Sequence, residues 1–195
     1  MVGLSARDLR AVVNLQQEVA RLPGAEPFVS EALDALARLV PAEAASFCEL
    51  DHVERRLVTQ VDNSDHPEGD FAFEDDYWRT FWDGPMSRYH VASQGAAVKI
   101  SDFFTPRQLA RRPEIVAKFG LDVRWDVITI DITDDLRRTR KFLLGRRGAF
   151  SERDRTILDL LKVPFGLRYA AAARAGCTAR LTAREREVMT LVGVG

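Results

Sequence analysis

Val-Arg-Trp-Asp-Val-Ile-Thr-Ile-Asp-Ile (residues 123–132) decides how this chain folds. Val127, Thr129 and Asp131 alternate with Ile128, Ile130 and Ile132. A period of two sends successive side chains to opposite faces, so this run is a strand with one strongly apolar face. Asp134-Asp135 starts a turn, and Lys-Phe-Leu-Leu-Gly-Arg (residues 141–146) returns as the partner strand. Upstream, residues 44–51 read as a strand with Phe47 facing away from Ser46 and Cys48. Residues 52–55 form a turn, and residues 56–61 alternate as a second strand, which makes another hairpin. A short strand is expected at residues 97–100. Two hairpins and one short strand imply an antiparallel sheet.

Helices surround these strands. Ser5 and Asp8 form a capping box ahead of Leu9, Val12, Val13, Leu15 and Val19. Pro27 suits a helix N1 position, and Phe28, Ala32, Leu33, Leu36, Ala37, Leu39 and Val40 give that helix a broad apolar stripe closed by Pro41. Thr105 caps a helix begun by Pro106, with Leu109, Ile115, Val116 and Phe119 toward a core and Gly120 at its end. Ser151 and Asp154 open a long helix through Ile157, Leu158, Leu160 and Leu161. Pro164 and Gly166 are expected to kink or break it, residues 170–175 resume it, and Gly176-Cys177-Thr178 reads as a linker. The fold class is α+β, helices packed on an antiparallel sheet.

The bulk composition is that of a globular protein, with 46% apolar and 29% charged residues in 195. No run of about 18 apolar residues offers a membrane span. The N-terminus lacks an apolar signal core, so a cytoplasmic location is expected and no membrane partner. Cys48 and Cys177 stand far apart in sequence and suggest neither a disulfide framework nor a zinc site. The net charge of −1 hides an asymmetry: 14 Lys/Arg against 24 Asp/Glu up to Leu136, then 14 against 5. An acidic body with a basic end suits a chain whose C-terminal side faces nucleic acid, or else a solvated arginine-rich helix surface.

The basic end finishes on Arg-Leu-Thr-Ala-Arg-Glu-Arg-Glu-Val-Met-Thr-Leu-Val-Gly-Val (residues 180–194). Thr182 and Glu185 make a capping box, and Val188, Leu191 and Val192 recur on one face. The ordered string Leu-Thr-x-Arg-Glu-x-Glu-Val resembles the opening of the LuxR-type helix-turn-helix of bacterial transcription regulators. The chain stops at Gly195, where that family has its first interhelix turn, so the resemblance implies a truncated reader without its recognition helix. The element order before it, with Phe-Ser-Glu-Arg-Asp-Arg (residues 150–155) opening the last helix, resembles the GAF-like sensory domain of such regulators. The resemblance implies a GAF-like sensory and dimerisation domain over residues 1–175. A linker and the first helix of the DNA-binding module would follow over residues 176–195.

That architecture carries expectations about sites. Tyr77, Trp78, Phe81 and Trp82 share one face of a short helix. With Phe47, Phe103, Phe104 and Trp125 they either line a ligand cavity, where GAF-like folds bind small molecules, or fill an ordinary core. Glu49 and Asp131 are strand carboxylates; inward they must be paired or contact a ligand, outward they are solvated. Thr182, Arg184 and Arg186 are candidates for DNA phosphate contacts, or for local helix pairs. The acidic loop with Asp62, Asp65, His66, Glu68 and Asp70 lacks the glycine and terminal glutamate of a calcium loop. No phosphate-binding, dinucleotide, zincin or serine-hydrolase motif occurs, so no catalytic residue, metal or cofactor is expected. The implied function is the ligand-binding, dimerising sensor of a LuxR-family regulator, with DNA, a small-molecule effector and a second copy as partners. The alternatives are a ligand-free protein-interaction module and a redox enzyme on the GAF fold, such as a free methionine sulfoxide reductase.

Overall fold

The computed structural model describes residues 3–22, 25–63, 78, 84–93, 96–113, 124–132 and 137–180. Helix α1 (Ala6–Ala20) begins at the expected capping box, in which Ser5 and Asp8 satisfy each other's backbone N–H. Its buried residues Val12, Leu15 and Val19 fall at helical spacing. Helix α2 (Ala25–Leu39) buries Phe28, Val29, Ala32, Leu33 and Leu36. Strands β1 (Ala44–Asp51) and β2 (Arg56–Asp62) form the first hairpin. Asp51 Oδ1 accepts from the Val53 and Glu54 N–H groups at its turn, and Arg55 takes a positive φ of 48°.

Helix α3 (Pro85–Ser93), strand β3 (Val98–Lys99) and the short helix α4 (Pro106–Leu109) follow. Strand β4 (Trp125–Asp131), strand β5 (Arg138–Arg147) and helix α5 (Glu152–Arg180) complete the described elements. All strands pair antiparallel in the order β2-β1-β5-β4-β3, so β5 is the middle strand. The α+β class with an antiparallel sheet is as the sequence pattern requires.

The main core lies between α1, α2 and α5 on one side and the sheet on the other. Ala45 and Phe47 of β1, Ile128 and Ile130 of β4, and Phe142 and Leu144 of β5 meet Phe28, Leu36, Ile157, Leu161 and Phe165 there. Phe28 meets Phe165 edge to face at 5.5 Å and Phe142 meets Phe165 likewise at 5.6 Å, while Phe47 and Phe142 pack tilted at 5.0 Å. Each such side chain stabilises the fold by roughly 1.5–3 kcal/mol through burial. A smaller cluster covers the opposite face near β3 and β4: Met86, Val98, Ile100, Leu109 and Val127, with Tyr89, Phe103, Phe104 and Leu143 against it.

Two expectations about helices are corrected. The helix begun at Thr105 and Pro106 ends at Leu109, because Pro113 has no N–H to offer the Leu109 carbonyl. Leu109 is buried as expected, while residues 114–120 lie outside the described residues. Helix α5 is not broken at Pro164; it is continuous from Glu152 through Gly176, Cys177 and Thr178 to Arg180. Proline at 164 frees the Leu160 carbonyl, and Gln16 Nε2 of α1 donates to it at 3.4 Å. Leu161 and Phe165, both fully buried, clamp the helix on either side of the proline. Gly166 has a different purpose from the expected kink. A Cβ there would sit 2.9 Å from the Ile132 carbonyl oxygen, so glycine lets α5 lie flat on the end of β4.

At the start of α5, Ser151 and Asp154 form the expected reciprocal cap. Asp126 ties this start to the sheet edge. Its carboxylate accepts from Ser101 N–H, Ser101 Oγ–H and Phe150 N–H at 2.7–3.0 Å. Helices α1 and α5 run side by side in the same direction. Arg153 pairs with Asp8, Gln16 reaches Leu160, and Arg168 Nε donates to the Val19 carbonyl at 3.2 Å. Gly166→Ala should therefore force α5 off β4 and cost about 1–3 kcal/mol, read as a lowered midpoint in urea unfolding.

Candidate functional site

The sheet separates the candidate residues into two sets. Phe47 is fully buried in the main core, with its ring 5.5 Å from Tyr169 of α5. Glu49, two residues along β1 and on the same face, also points toward α5. Phe103 and Trp125 belong to the opposite face. Phe103 packs edge-on to Tyr89 at 6.3 Å, and Trp125 lies over Gly145, where a Cβ would be 3.2 Å from its ring. Phe104 joins the same small cluster. Trp78 stands near that face at its far end, its ring 6.4 Å from the His52 ring. Phe47 and Glu49 therefore do not share a site with Phe103 and Trp125. Helix pairing would group them only if the sheet had one buried face; here both faces are covered. Tyr77, Phe81, Trp82, Thr182, Arg184 and Arg186 lie outside the described residues, as does the acidic loop from Ser64 onward.

Glu49 is the paired inward carboxylate that burial demands. It is 5% exposed, and its Oε1 accepts from Arg138 at 3.0 Å and Arg140 at 2.9 Å, while Tyr169 Oη donates to Oε2 at 3.0 Å. Arg140 also stacks over the Tyr169 ring at 5.4 Å. Burial pushes the Glu49 carboxyl up, but the Arg140 guanidinium, Tyr169 and Arg138 together hold it below the ordinary value. Burial first, and then the Glu49 charge, push the Tyr169 phenol up to about 12, so it stays a neutral donor. This network joins β1 and β5 to α5.

The sheet face away from α5 holds a different assembly, in rows that cross β1, β5 and β4. Ser46, Leu143 and Thr129 form one row, and Cys48, Lys141 and Asp131 the next. Beyond them, Leu50 pairs with Thr139, whose Oγ1 is 2.7 Å from His52 Nε2. Ser46, Thr129, Thr139 and Lys141 are all buried. Cys48 is half-buried and is not part of a disulfide. Asp131 thus lies on the opposite face from Glu49. Among the described residues, no group of three His, Cys, Asp or Glu side chains is placed to hold a metal ion. No described helix is long and apolar enough to cross a membrane. The polar rows escape a reading by residue type. Lys141 flanked by Arg140 looks like a solvated strand residue; the only hint is that it shares the face of Leu143.

No protein-family model matches the chain, and no curated protein matches it at a significant level. Solved structures do match in fold. The GAF domain of a phosphoenolpyruvate-protein phosphotransferase from Coxiella burnetii aligns with 87% of this chain and 96% of its own, with a TM-score of 0.57 and 16% identity. The LBD domain of VqsR from Pseudomonas aeruginosa aligns with 86% of this chain and 99% of its own, at a TM-score of 0.52 and 12% identity. CepR2 of Burkholderia cenocepacia, an N-acylhomoserine-lactone-dependent LuxR-family transcription factor, aligns with 88% and 95%, at a TM-score of 0.50 and 19% identity. The chain has a GAF-like α+β fold, one that LuxR-family ligand-binding domains share.

The Glu49 network makes a pH prediction. Its carboxyl titrates lower in the folded than in the unfolded chain, so its stabilisation is present above about pH 4.3 and is lost as pH falls through the folded value. Glu49→Gln should cost roughly 2–4 kcal/mol at pH 7, because Arg138 and Arg140 lose their buried partner yet keep some solvent. The difference from wild type should shrink as the pH is lowered below about 4.3, measured by urea unfolding across pH.

Proposed function

We propose that this chain is the sensory, dimerising part of a bacterial LuxR-family transcription regulator, and that it responds to a small-molecule effector. The observation that carries this reading is the course of α5. It packs on the sheet at Gly166, joins β1 and β5 through the contacts of Tyr169 with Glu49 and Arg140, and runs unbroken to Arg180. The next residue begins the Leu181–Val188 string that resembles the opening of the DNA reader. Lys141, on the sheet face away from α5, and Arg140, on the α5 side, are consecutive on β5 and point to opposite faces. An effector that shifts β5 biases the Arg140–Glu49–Tyr169 contacts and, through them, the orientation of α5.

Dimerisation fits the outer surfaces of α1 and α5. Leu9 and Val13 lie exposed on α1 in line with Gln16, which meets Leu160 of α5. Leu160, Val163 and Leu167 continue as an exposed stripe, the last two 65% and 66% open. A second copy laid along this stripe brings two readers to paired half-sites. In this reading the chain is non-catalytic. A ligand-free interaction module is the second reading, favoured by the same apolar stripe.

Thermal melting across a metabolite panel separates the two. A sensor should rise by about 5–10 °C with one compound present at a hundredfold its Kd. A panel without any shift leaves the interaction module. Replacing Val163 and Leu167 together by Glu should convert a dimer to a monomer in light scattering at unchanged helix content; persistence of the dimer would place the interface elsewhere.

A further inference from the structure

Among the described residues, β3 is held to the sheet by two residue pairs, Val98 with Thr129 and Lys99 with Ile128. Its neighbourhood is tied more extensively to α5. The Ala97 N–H donates to Asp159 Oδ1. The buried Lys99 ammonium donates to Glu152 Oε1 at 2.7 Å and to the Phe150 carbonyl at 3.1 Å. Asp102, at the end of the helical turn Ile100–Asp102, pairs with Arg155 and accepts the Lys99 N–H at 2.8 Å. Ser101 joins them through Asp126, which also accepts the Phe150 N–H. The same short segment has a second side. Ala97 packs in the main core, whereas Val98 and Ile100 are buried across the sheet with Met86 of α3, Leu109 of α4 and Val127 of β4.

We propose that residues 97–102 are a strap that passes a displacement of α3 or α4 to the first two turns of α5. This adds a second route to α5 in the sensor reading, and rests on that reading for the stimulus that moves α3 or α4. Val98 and Ile100 follow Met86 and Leu109 because a close-packed cluster leaves no slack. Ala97, Lys99 and Asp102 carry the movement to Asp159, Glu152 and Arg155, which fall within about two turns on α5. Asp126 holds Ser101 and Phe150 to one carboxylate, so the strap and the start of the helix travel together. This route enters α5 ahead of Gly166, whereas the Arg140–Glu49–Tyr169 junction lies past it. In energetic terms, the packing of Leu109 and the strap contact of Asp159 depend on each other.

A double-mutant cycle on the full chain, read by urea unfolding, measures that dependence. Leu109→Ala loosens the far cluster, and Asp159→Ala removes the acceptor of the Ala97 N–H. With the strap in place, each change already forfeits part of what the other removes. The unfolding constant of the double variant should therefore fall at least about threefold short of the product of the single effects, beyond the roughly twofold scatter of independent sites. The control pairs Leu109→Ala with Glu43→Ala, which removes the acceptor of the Arg147 N–H away from the strap, and should be additive. An additive strap cycle, or equal coupling in both cycles, overturns the proposal. Leu109→Val takes the place of Leu109→Ala if the latter does not fold. Amide exchange supplies a second readout in the Leu109 variant. The Ala97 N–H should exchange at least about fivefold faster there, relative to the Phe142 N–H of β5. An Ala97 N–H that keeps pace with Phe142 overturns the strap. No effector enters either measurement, so failure here leaves the sensor reading to be judged by the metabolite panel.

Discussion

The close approach of α5 to β4 is the constraint on which the rest of the molecule depends. Gly166 brings the helix backbone against the Ile132 carbonyl. Only then can Phe165 reach Phe28 and Phe142, and Tyr169 reach Glu49. Those contacts define the aromatic centre of the core and the polar junction at its end. Helix α1 in turn takes its position from α5, through Arg153 with Asp8, Gln16 with the carbonyl that Pro164 frees, and Arg168 with the last turn of α1. A glycine and a proline within three residues, which alone would weaken a helix, are offset here by contacts outside the helix.

The two faces of the sheet differ in chemical character. Toward α1, α2 and α5 the strands present Ile, Phe and Leu, and the buried carboxylate of Glu49 has three partners. Toward the other side the centre of the sheet presents Ser, Thr, Cys and Lys in rows. A face built only for stability would carry branched aliphatics in those positions.

Much of the architecture was legible from residue pattern. The capping pairs at Ser5, Thr105 and Ser151 mark real helix starts, and the alternation in residues 44–51 and 125–131 marks real strands. What the pattern hides is tertiary. Pro164 reads locally as a breaker, and only the neighbouring Gln16 and the buried Leu161 and Phe165 explain why the helix continues. Helix α3 has few apolar residues at helical spacing and leaves little trace in sequence. Large aromatics suggested the site, yet Phe47 belongs to the core because alternation puts it with Ala45 on the α5 side. The rows around Lys141 depend on strand register across β1, β5 and β4, which no single segment encodes.

The length of α5 beyond its seat has a mechanical consequence. Among the residues of α5 whose burial is described, the last buried one is Ala172, and the helical backbone continues to Arg180. At 1.5 Å of rise per residue, the span from Gly166 to Arg180 is about 21 Å, so a tilt of about 10° at the glycine moves the tip by roughly 4 Å. The glycine is thus the fulcrum of a lever. A small rotation there is magnified along the helix by the time it reaches Arg180.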